Sequence, residues 1–338
     1  MPPPVISFCL PTANRARDLD RCLASFHADA VHHGVLDRVE VCIADNCSGD
    51  DTAGTCDVWR ARFPHFQYKR QDARRDVMTN LDDACHLATG EYLWLFGDDD
   101  SLISGVLGLA FEVCAQGPDL IHTGGFSFSR QGTLHGYTGV EGPRDVPVEP
   151  LFASDILQHG FITTLIIRRE VWLKNPHFAT RHPHEVATHL QIVADCLAGG
   201  RCTAIHTPCV LVEKTPSRNA VWNGYWAILH GYEMFKARAR TFPPRPGETR
   251  GAYRHHPRIF ARSFAILSLL RDQYGGIYEL AAAVPPQTLF ERLVVAVFGT
   301  AFASSAVRAG AVRLLDAASP GFKNKRKFLE SLGMRQAN

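Results

Sequence analysis

Three consecutive carboxylates, Asp98, Asp99 and Asp100, follow the apolar run Tyr92–Phe96 after a single glycine, Gly97. Like charges set side by side repel unless a cation joins them. Hard oxygen donors suit Mg2+ or Mn2+, and such an ion normally meets a protein through one or two carboxylates while substrate phosphates supply further ligands. In an open α/β sheet, a strand ending this way sets its acids at the carboxyl edge, where such folds bind ligands. One or two acids would be enough to cap a following helix, so a cluster of three points to an ion.

Two more polar loops follow apolar runs nearer the start of the chain. Pro11-Thr12-Ala13-Asn14-Arg15-Ala16 comes after Val5–Leu10. Polar side chains and backbone donors at such a strand end can hold a nucleotide, with Arg15 placed to meet phosphate or a base edge. Asp45-Asn46-Cys47-Ser48-Gly49-Asp50-Asp51 comes after Val39–Ala44. There Asp45 can accept a hydrogen bond from a base N–H, while Asp50 or Asp51 caps the next helix. Farther on, His182 and His184 form a His-x-His pair. It has no third ligand at metal-binding spacing and is not read as a zinc site.

The elements that must carry these loops alternate along the first 125 residues. Val5–Leu10, Val39–Ala44 and Tyr92–Phe96 read as buried strands. Asp18–Phe26, Asp51–Arg62, Val77–Thr89 and Ser104–Ala115 read as helices, with Asp or Ser near their starts. Strand then helix recurs, which predicts a mostly parallel, Rossmann-like sheet flanked by helices. Arg130 to Pro150 loses periodicity and reads as a surface excursion. A strand is expected over Ile162–Ile167, and a helix over Glu185–Ala198, whose stripe Val186, Leu190, Val193 and Leu197 ends at Gly199-Gly200. Residues 241–257 are rich in Pro and Gly and read as a linker, after which 258–338 look helical. Within that region Leu293–Val307 is uncharged, and Lys323, Lys325, Arg326 and Lys327 form a basic cluster. This pattern fits either a helical subdomain with a solvated basic tail or an interfacial helix against an anionic leaflet.

Composition removes several classes. In 338 residues, 46% are hydrophobic and 21% charged, a globular balance that excludes a disordered or fibrous chain. Lys and Arg number 36 against 34 Asp and Glu, so nothing asks for bulk attachment to nucleic acid. The ten cysteines include no C-x-x-C pair and several sit in apolar runs, which fits a reduced, cytosolic protein. The N-terminal stretch lacks the basic and apolar regions of a signal peptide. Leu293–Val307 falls short of the roughly 20 residues that span a bilayer.

Taken in order, Pro11–Arg15, Asp45–Ser48 and Asp98–Asp100 resemble the motifs of GT-A fold glycosyltransferases of the large family-two type. Within that group the chain is similar to the abequosyltransferase-like branch that builds bacterial surface polysaccharide. The resemblance runs from Val5 to about Arg130, and more loosely from Phe161 to about Trp226. It implies that Thr12, Asn14 and Asp45 touch the nucleotide, with Pro11 and Arg15 in the same loop and Asn80 on the helix before the metal motif. It implies Asp98 or Asp99 near the ribose and a metal held at Asp98 and Asp100, with Asp100 the direct ligand. The family's usual glycine before the Asn80 helix is replaced by Asp72-Ala73-Arg74-Arg75, where Arg74 or Arg75 contacts phosphate or is simply solvated.

Many members place a Glu-Asp pair before a later helix, one acid serving as catalytic base. The comparable stretch here is His182-Pro183-His184-Glu185, so His184 or Glu185 is the candidate base, the alternative being that they cap the helix beginning there. Arg218, Asn219 and Trp222 match the branch's segment after its last core strand and are candidates to line the acceptor site. The activity implied is metal-dependent transfer from a nucleoside-diphosphate sugar to a glycan or lipid-linked glycan, in O-antigen or capsule synthesis. The layout implied is a catalytic domain over 1–240, with a nucleotide-sugar half (1–125) and an acceptor half (126–240), then the linker and helical extension. The expected location is cytoplasmic, with peripheral contact at the inner leaflet as a further expectation. Two rival readings are a nucleotidyltransferase, which would need a Gly-rich first loop, and a non-catalytic sugar-nucleotide binding module.

Overall fold

The computed structural model describes residues 2–128, 134–138, 161–180, 188–199, 201–213 and 289–318, together with 264, 268 and 269. The chain divides into two compact units, one made of Met1–Arg181 and Ala187–Lys214, the other of His182–Val186 and Thr215–Asn338.

The first unit is built on a nine-stranded sheet. Its strands are β1 (Ile6–Thr12), β2 (Val39–Asp45), β3 (Phe66–Arg70), β4 (Tyr92–Leu95), β5 (Ser101–Leu102), β6 (Leu120–Phe128), β7 (Leu134–Thr138), β8 (Leu165–Arg168) and β9 (Cys202–Glu213). The spatial order is β3-β2-β1-β4-β8-β6-β9-β5, with β7 beside β6. Its helices are α1 (Ala16–His32), α2 (Thr52–Arg60), α3 (Val77–Leu87), α4 (Val106–Cys114), α5 (Arg169–Leu173), α6 (His177–Thr180) and α7 (His189–Gly199). The strands β3, β2, β1 and β4 are all parallel, as the alternation of strand and helix predicts. Beyond β4 the sheet is mixed: β8 runs antiparallel to both β4 and β6, while β9 lies parallel to β6.

Both faces of the sheet are covered. On one, Phe8 stacks on Phe26 of α1 with ring centroids 3.9 Å apart, and Trp94 and Phe96 close the cluster. On the other, Leu93, Leu95 and Ile167 pack with Leu81 of α3, Trp172 of α5 and Ile192 of α7. Strands buried on both faces are apolar nearly throughout, which is why β4 reads as an unbroken run and the interiors of β1 and β2 are broken only at Ser7 and Glu40, which bond to each other. The ten cysteines form no disulfide, and burial raises the thiols of Cys9, Cys22 and Cys42 well above their ordinary range.

The strand carrying the three acids is positioned from below by Glu40, a buried carboxylate on β2. It accepts hydrogen bonds from Ser7 Oγ at 2.6 Å and from the backbone of Thr89 at 2.7 Å and Gly90 at 3.3 Å. Gly90 has to be glycine, because a Cβ there would lie 2.5 Å from Ser7 Oγ.

Several boundaries differ from the sequence reading. β1 continues through Pro11 to Thr12. Cys9 O accepts from Phe96 N on the β4 side and Thr12 O from Asn46 N on the β2 side. Alternation therefore turns the Pro11 nitrogen toward β4, past the last ladder pair Cys9–Leu95, where no N–H is required. Ile162–Thr164 is a 3-10 turn, and the strand expected from Ile162 begins only at Leu165. The helix expected over Glu185–Ala198 is described from His189, its first residues lying outside the described ones.

In the second unit, the uncharged run Leu293–Val307 is shared between two helices, α8 (Leu289–Ala301) and α9 (Ser305–Ala318), bent by 98°. The buried Arg308 explains the corner, since its Nη1 donates to the carbonyls of Phe302 and Ala303 at 2.5 and 2.7 Å and so closes the end of α8. No single described helix is long and apolar enough to cross a membrane. The linker at 241–257 and the basic cluster at 323–327 lie outside the described residues.

Candidate active site

The carboxyl ends of β1, β2 and β4 deliver three loops to one edge of the sheet, and hydrogen bonds tie them together. Asn14 sits in the left-handed region at φ 56°, which Asn tolerates better than most residues. That turn lets its N–H donate to Ser48 Oγ at 2.8 Å while its Oδ1 accepts from Gly49 N at 2.7 Å. Ala16 N donates to Asp50 Oδ2 at 3.0 Å, so the first helix is anchored to the second loop. Asp50 also accepts from Thr52 N and Thr52 Oγ1, which makes it the residue that caps α2 through its side chain. Asn14 and Asp45 therefore act inside this framework.

Asp45 is buried, and both its oxygens are engaged. Oδ1 accepts from Ser48 N at 3.0 Å and Oδ2 from Tyr68 OH at 2.8 Å. Burial, and then the hydrogen bond to Asp45, push the Tyr68 phenol above its ordinary value. The loop before α3 is joined on by Asn46, whose amide pairs with Arg75 O at 2.9 Å and Arg75 N at 2.7 Å. Arg75 itself faces Asp83 at 3.1 Å, and Arg74 is exposed. Asn80 is buried rather than open to a ligand: its Nδ2 donates to Ala44 O at 2.9 Å, which fixes α3 under the end of β2, and its Oδ1 has no protein partner.

The carboxylate loop is held from three directions. Asp98 is buried, with Oδ2 accepting from Thr12 Oγ1 at 2.7 Å and Oδ1 from Arg15 Nη1 at 2.5 Å. Arg15 also lies 3.6 Å from Asp99. The charge balance expected from a metal ion is thus met at Asp98 by a guanidinium contributed from the first loop. Burial pushes the Asp98 carboxyl up to about 6, against the opposing pull of Arg15. From α1, Arg21 donates to Asp99 O at 2.7 Å. Asp100, also buried, accepts at Oδ2 from Thr163 Oγ1 at 2.5 Å, and Thr163 Oγ1 accepts from Gly97 N at 3.1 Å. Gly97 has no room for a side chain, because a Cβ would fall 2.7 Å from Asp100 Oδ2 and 3.2 Å from Asp99 Oδ1.

Among the described residues, no three His, Cys, Asp or Glu side chains converge as a self-sufficient metal cage. The donor set nevertheless fits a hard divalent ion of the kind that takes one or two carboxylates and completes its shell from phosphates. The carboxylates that would hold such an ion are those of the Asp98–Asp100 loop, where Asp98 already accepts from Arg15 and Thr12 and Asp100 from Thr163. The candidate bases His184 and Glu185, and Arg218, Asn219 and Trp222, lie outside the described residues. Tyr68, Arg21 and Thr163 were not singled out by sequence. Tyr68 sits in an edge strand of mixed polarity, and Thr163 lies far along the chain with no motif around it.

This edge arrangement defines a class. The structure is similar to that of S. aureus TarS, residues 1–349, with a TM-score of 0.51 at 15% identity over 88% of this chain and 91% of that one. It is also similar to the mannosyltransferase PcManGT from Pyrobaculum calidifontis, solved with GDP-Man and Mn2+, with a TM-score of 0.50 at 17% identity over 91% and 83% of the two chains. The fold is GT-A. A sequence model of glycosyl transferase family 2 matches residues 7–205, more than half of the chain, and the chain belongs to that family. The abequosyltransferase RfbV of Salmonella typhimurium (strain LT2) is 38% identical over 107 residues, 31% of this chain and 31% of RfbV. The match therefore spans about a third of that curated relative's length.

Proposed function

We propose that this chain transfers a sugar from a nucleoside-diphosphate sugar to a hydroxyl of a glycan or lipid-linked glycan, using Mg2+ or Mn2+, in the synthesis of a bacterial surface polysaccharide such as O-antigen or capsule. The observation that carries the reading is the joining of three loops at one sheet edge through Thr12–Asp98 at 2.7 Å and Asn14–Ser48 at 2.8 Å. A nucleotide laid across that edge meets β1, β2 and the carboxylate loop together. The likeness to PcManGT, solved with GDP-Man and Mn2+, and to TarS, solved with UDP-GlcNAc, supports the choice of donor class. The partial match to an abequosyltransferase supports the polysaccharide setting.

A divalent ion at the Asp98–Asp100 loop, with Asp100 as its direct ligand, would supply neutralisation of the charge that develops on the departing nucleoside diphosphate. The chain's own residues do the rest. The Asn14, Ser48 and Asp45 bonds hold the two nucleotide loops in one shape before the donor arrives, so less ordering is left to binding. Arg15, fixed by Asp98, sets a permanent positive charge beside the same loop. His184 or Glu185 takes the proton of the attacking hydroxyl.

Thermal-shift measurements with UDP, GDP, CDP and their sugars, with and without Mn2+, test the reading. A metal-dependent shift for one nucleotide family is expected, with release of that nucleoside diphosphate on turnover. No response to any nucleotide in either condition would refute it.

We also propose peripheral contact with the cytoplasmic leaflet of the inner membrane. Leu289, Leu293 and Val297 recur every fourth residue along α8 and are 75%, 56% and 56% exposed. From Arg292 to Leu315 the only charged residues are three arginines, of which Arg308 is buried at the end of α8 and Arg292 and Arg313 remain, and the 323–327 cluster adds four cations. An apolar face with basic neighbours suits an anionic lipid surface.

A further inference from the structure

We propose that Thr163 is a positioning residue for Asp100, setting the rotation of its carboxylate for the divalent ion; this rests on the metal-dependent reading above. Thr163 is fully buried, in the 3-10 turn that leads into β8. Its backbone is pinned: Trp94 Nε1 donates to Thr163 O at 3.0 Å. The neighbouring Thr164 Oγ1 lies 2.8 Å from Phe161 O and 3.3 Å from His122 Nε2. The hydroxyl therefore has a fixed position.

Its polarity is fixed as well. A backbone N–H can only donate, so the bond from Gly97 N at 3.1 Å makes Thr163 Oγ1 an acceptor there. The single hydroxyl proton is then directed at Asp100 Oδ2, 2.5 Å away. The relay runs from backbone N–H to hydroxyl to carboxylate, and each step points one way. A Cβ on Gly97 would lie 3.3 Å from Thr163 Oγ1 and 2.7 Å from Asp100 Oδ2, so the three groups meet where only a glycine fits. Hydrogen bonds of this outer kind orient metal-ligating carboxylates, and removing one typically costs roughly 10–100-fold in metal affinity. Thr163 enters the chain after the whole nucleotide half and joins the sheet through β8. It therefore ties the alignment of the carboxylate loop to the docking of the second half of the fold.

The test is Mn2+ binding to the full chain, followed by electron paramagnetic resonance, with Mn2+ alone and with UDP, GDP or CDP added. Thr163→Val should weaken Mn2+ binding by about 10–100-fold, and Thr163→Ser, which keeps the hydroxyl, should restore it. In turnover, Thr163→Val should raise the Mn2+ concentration needed for half-maximal rate far more than it lowers the rate at saturating Mn2+. If Thr163→Val does not fold, the contrast of Thr163→Ala with Thr163→Ser decides the matter in the same way. Equal Mn2+ affinity in the Val, Ala and Ser variants would overturn the proposal. Asp100→Asn separates it from the reading beneath: unchanged Mn2+ binding in that variant would overturn the metal assignment, and the proposal with it.

Discussion

Replacing Arg15 by Met removes the cation that faces Asp98 and makes a pH-dependent prediction. Asp98 is 2% exposed, and its carboxyl is held near 6 rather than 3.8, chiefly by burial. With a folded value above the unfolded one, the folded state holds the extra proton between about pH 4 and 6. This group's contribution to stability therefore falls as pH rises through that window. Without Arg15 the folded value rises further, so above pH 7 the variant must bury an uncompensated carboxylate or retain a proton. A charge-assisted hydrogen bond contributes about 1.5–3 kcal/mol. Because the Arg15 side chain is 31% exposed, solvent screening lowers this to about 1–2 kcal/mol. At about 2–4 °C per kcal/mol for a domain of this size, the loss in Tm is about 2–8 °C at pH 8. At pH 4.5 Asp98 is protonated in both proteins and the difference should shrink toward zero. Thermal unfolding in EDTA, which keeps divalent ions out, measures it directly. An equal loss at both pH values, or none at pH 8, would refute the reasoning.

Asp45→Ala removes the acceptor for Ser48 N and Tyr68 OH and so loosens the second loop. The dissociation constant for the donor should rise about tenfold or more, with turnover at saturation changed far less, since the contact is remote from the breaking bond; steady-state kinetics would show it. His184→Ala and Glu185→Ala, compared at saturating donor and acceptor, should include one variant slowed by roughly 10²–10⁴ that still binds nucleotide. Near-normal turnover in both would move the base elsewhere. Neutralising Lys323, Lys325, Arg326 and Lys327 should weaken salt-sensitive sedimentation with anionic vesicles, each cation contributing about 1 kcal/mol, while donor binding persists. Equal recovery in every supernatant, with or without vesicles, would refute the membrane contact.

The amino-acid sequence by itself determined the parts whose signal is local. Tyr92–Leu95 is legible as a strand because it is buried on both faces, and a strand so placed must be apolar throughout. The polar loops at Thr12–Ala16, Asp45–Asp50 and Asp98–Asp100 are legible because they break such runs abruptly, and their order along the chain was enough for the family. Edge strands gave no such signal. Phe66–Arg70 lies at the border of the sheet, where polar side chains are tolerated, and so carries no apolar run. The bend between α8 and α9 was hidden for the opposite reason, since the apolar pattern continues straight through the corner that Arg308 closes. What only the tertiary structure decided is how the acids are balanced and aimed. Arg15 and Asp98 stand 83 residues apart in sequence, and Thr163 and Asp100 stand 63 apart. A hydroxyl or guanidinium brought across such a distance leaves no periodicity and no spacing to read. Its partner is chosen by the order in which strands join the sheet, and that order exists only in the folded chain.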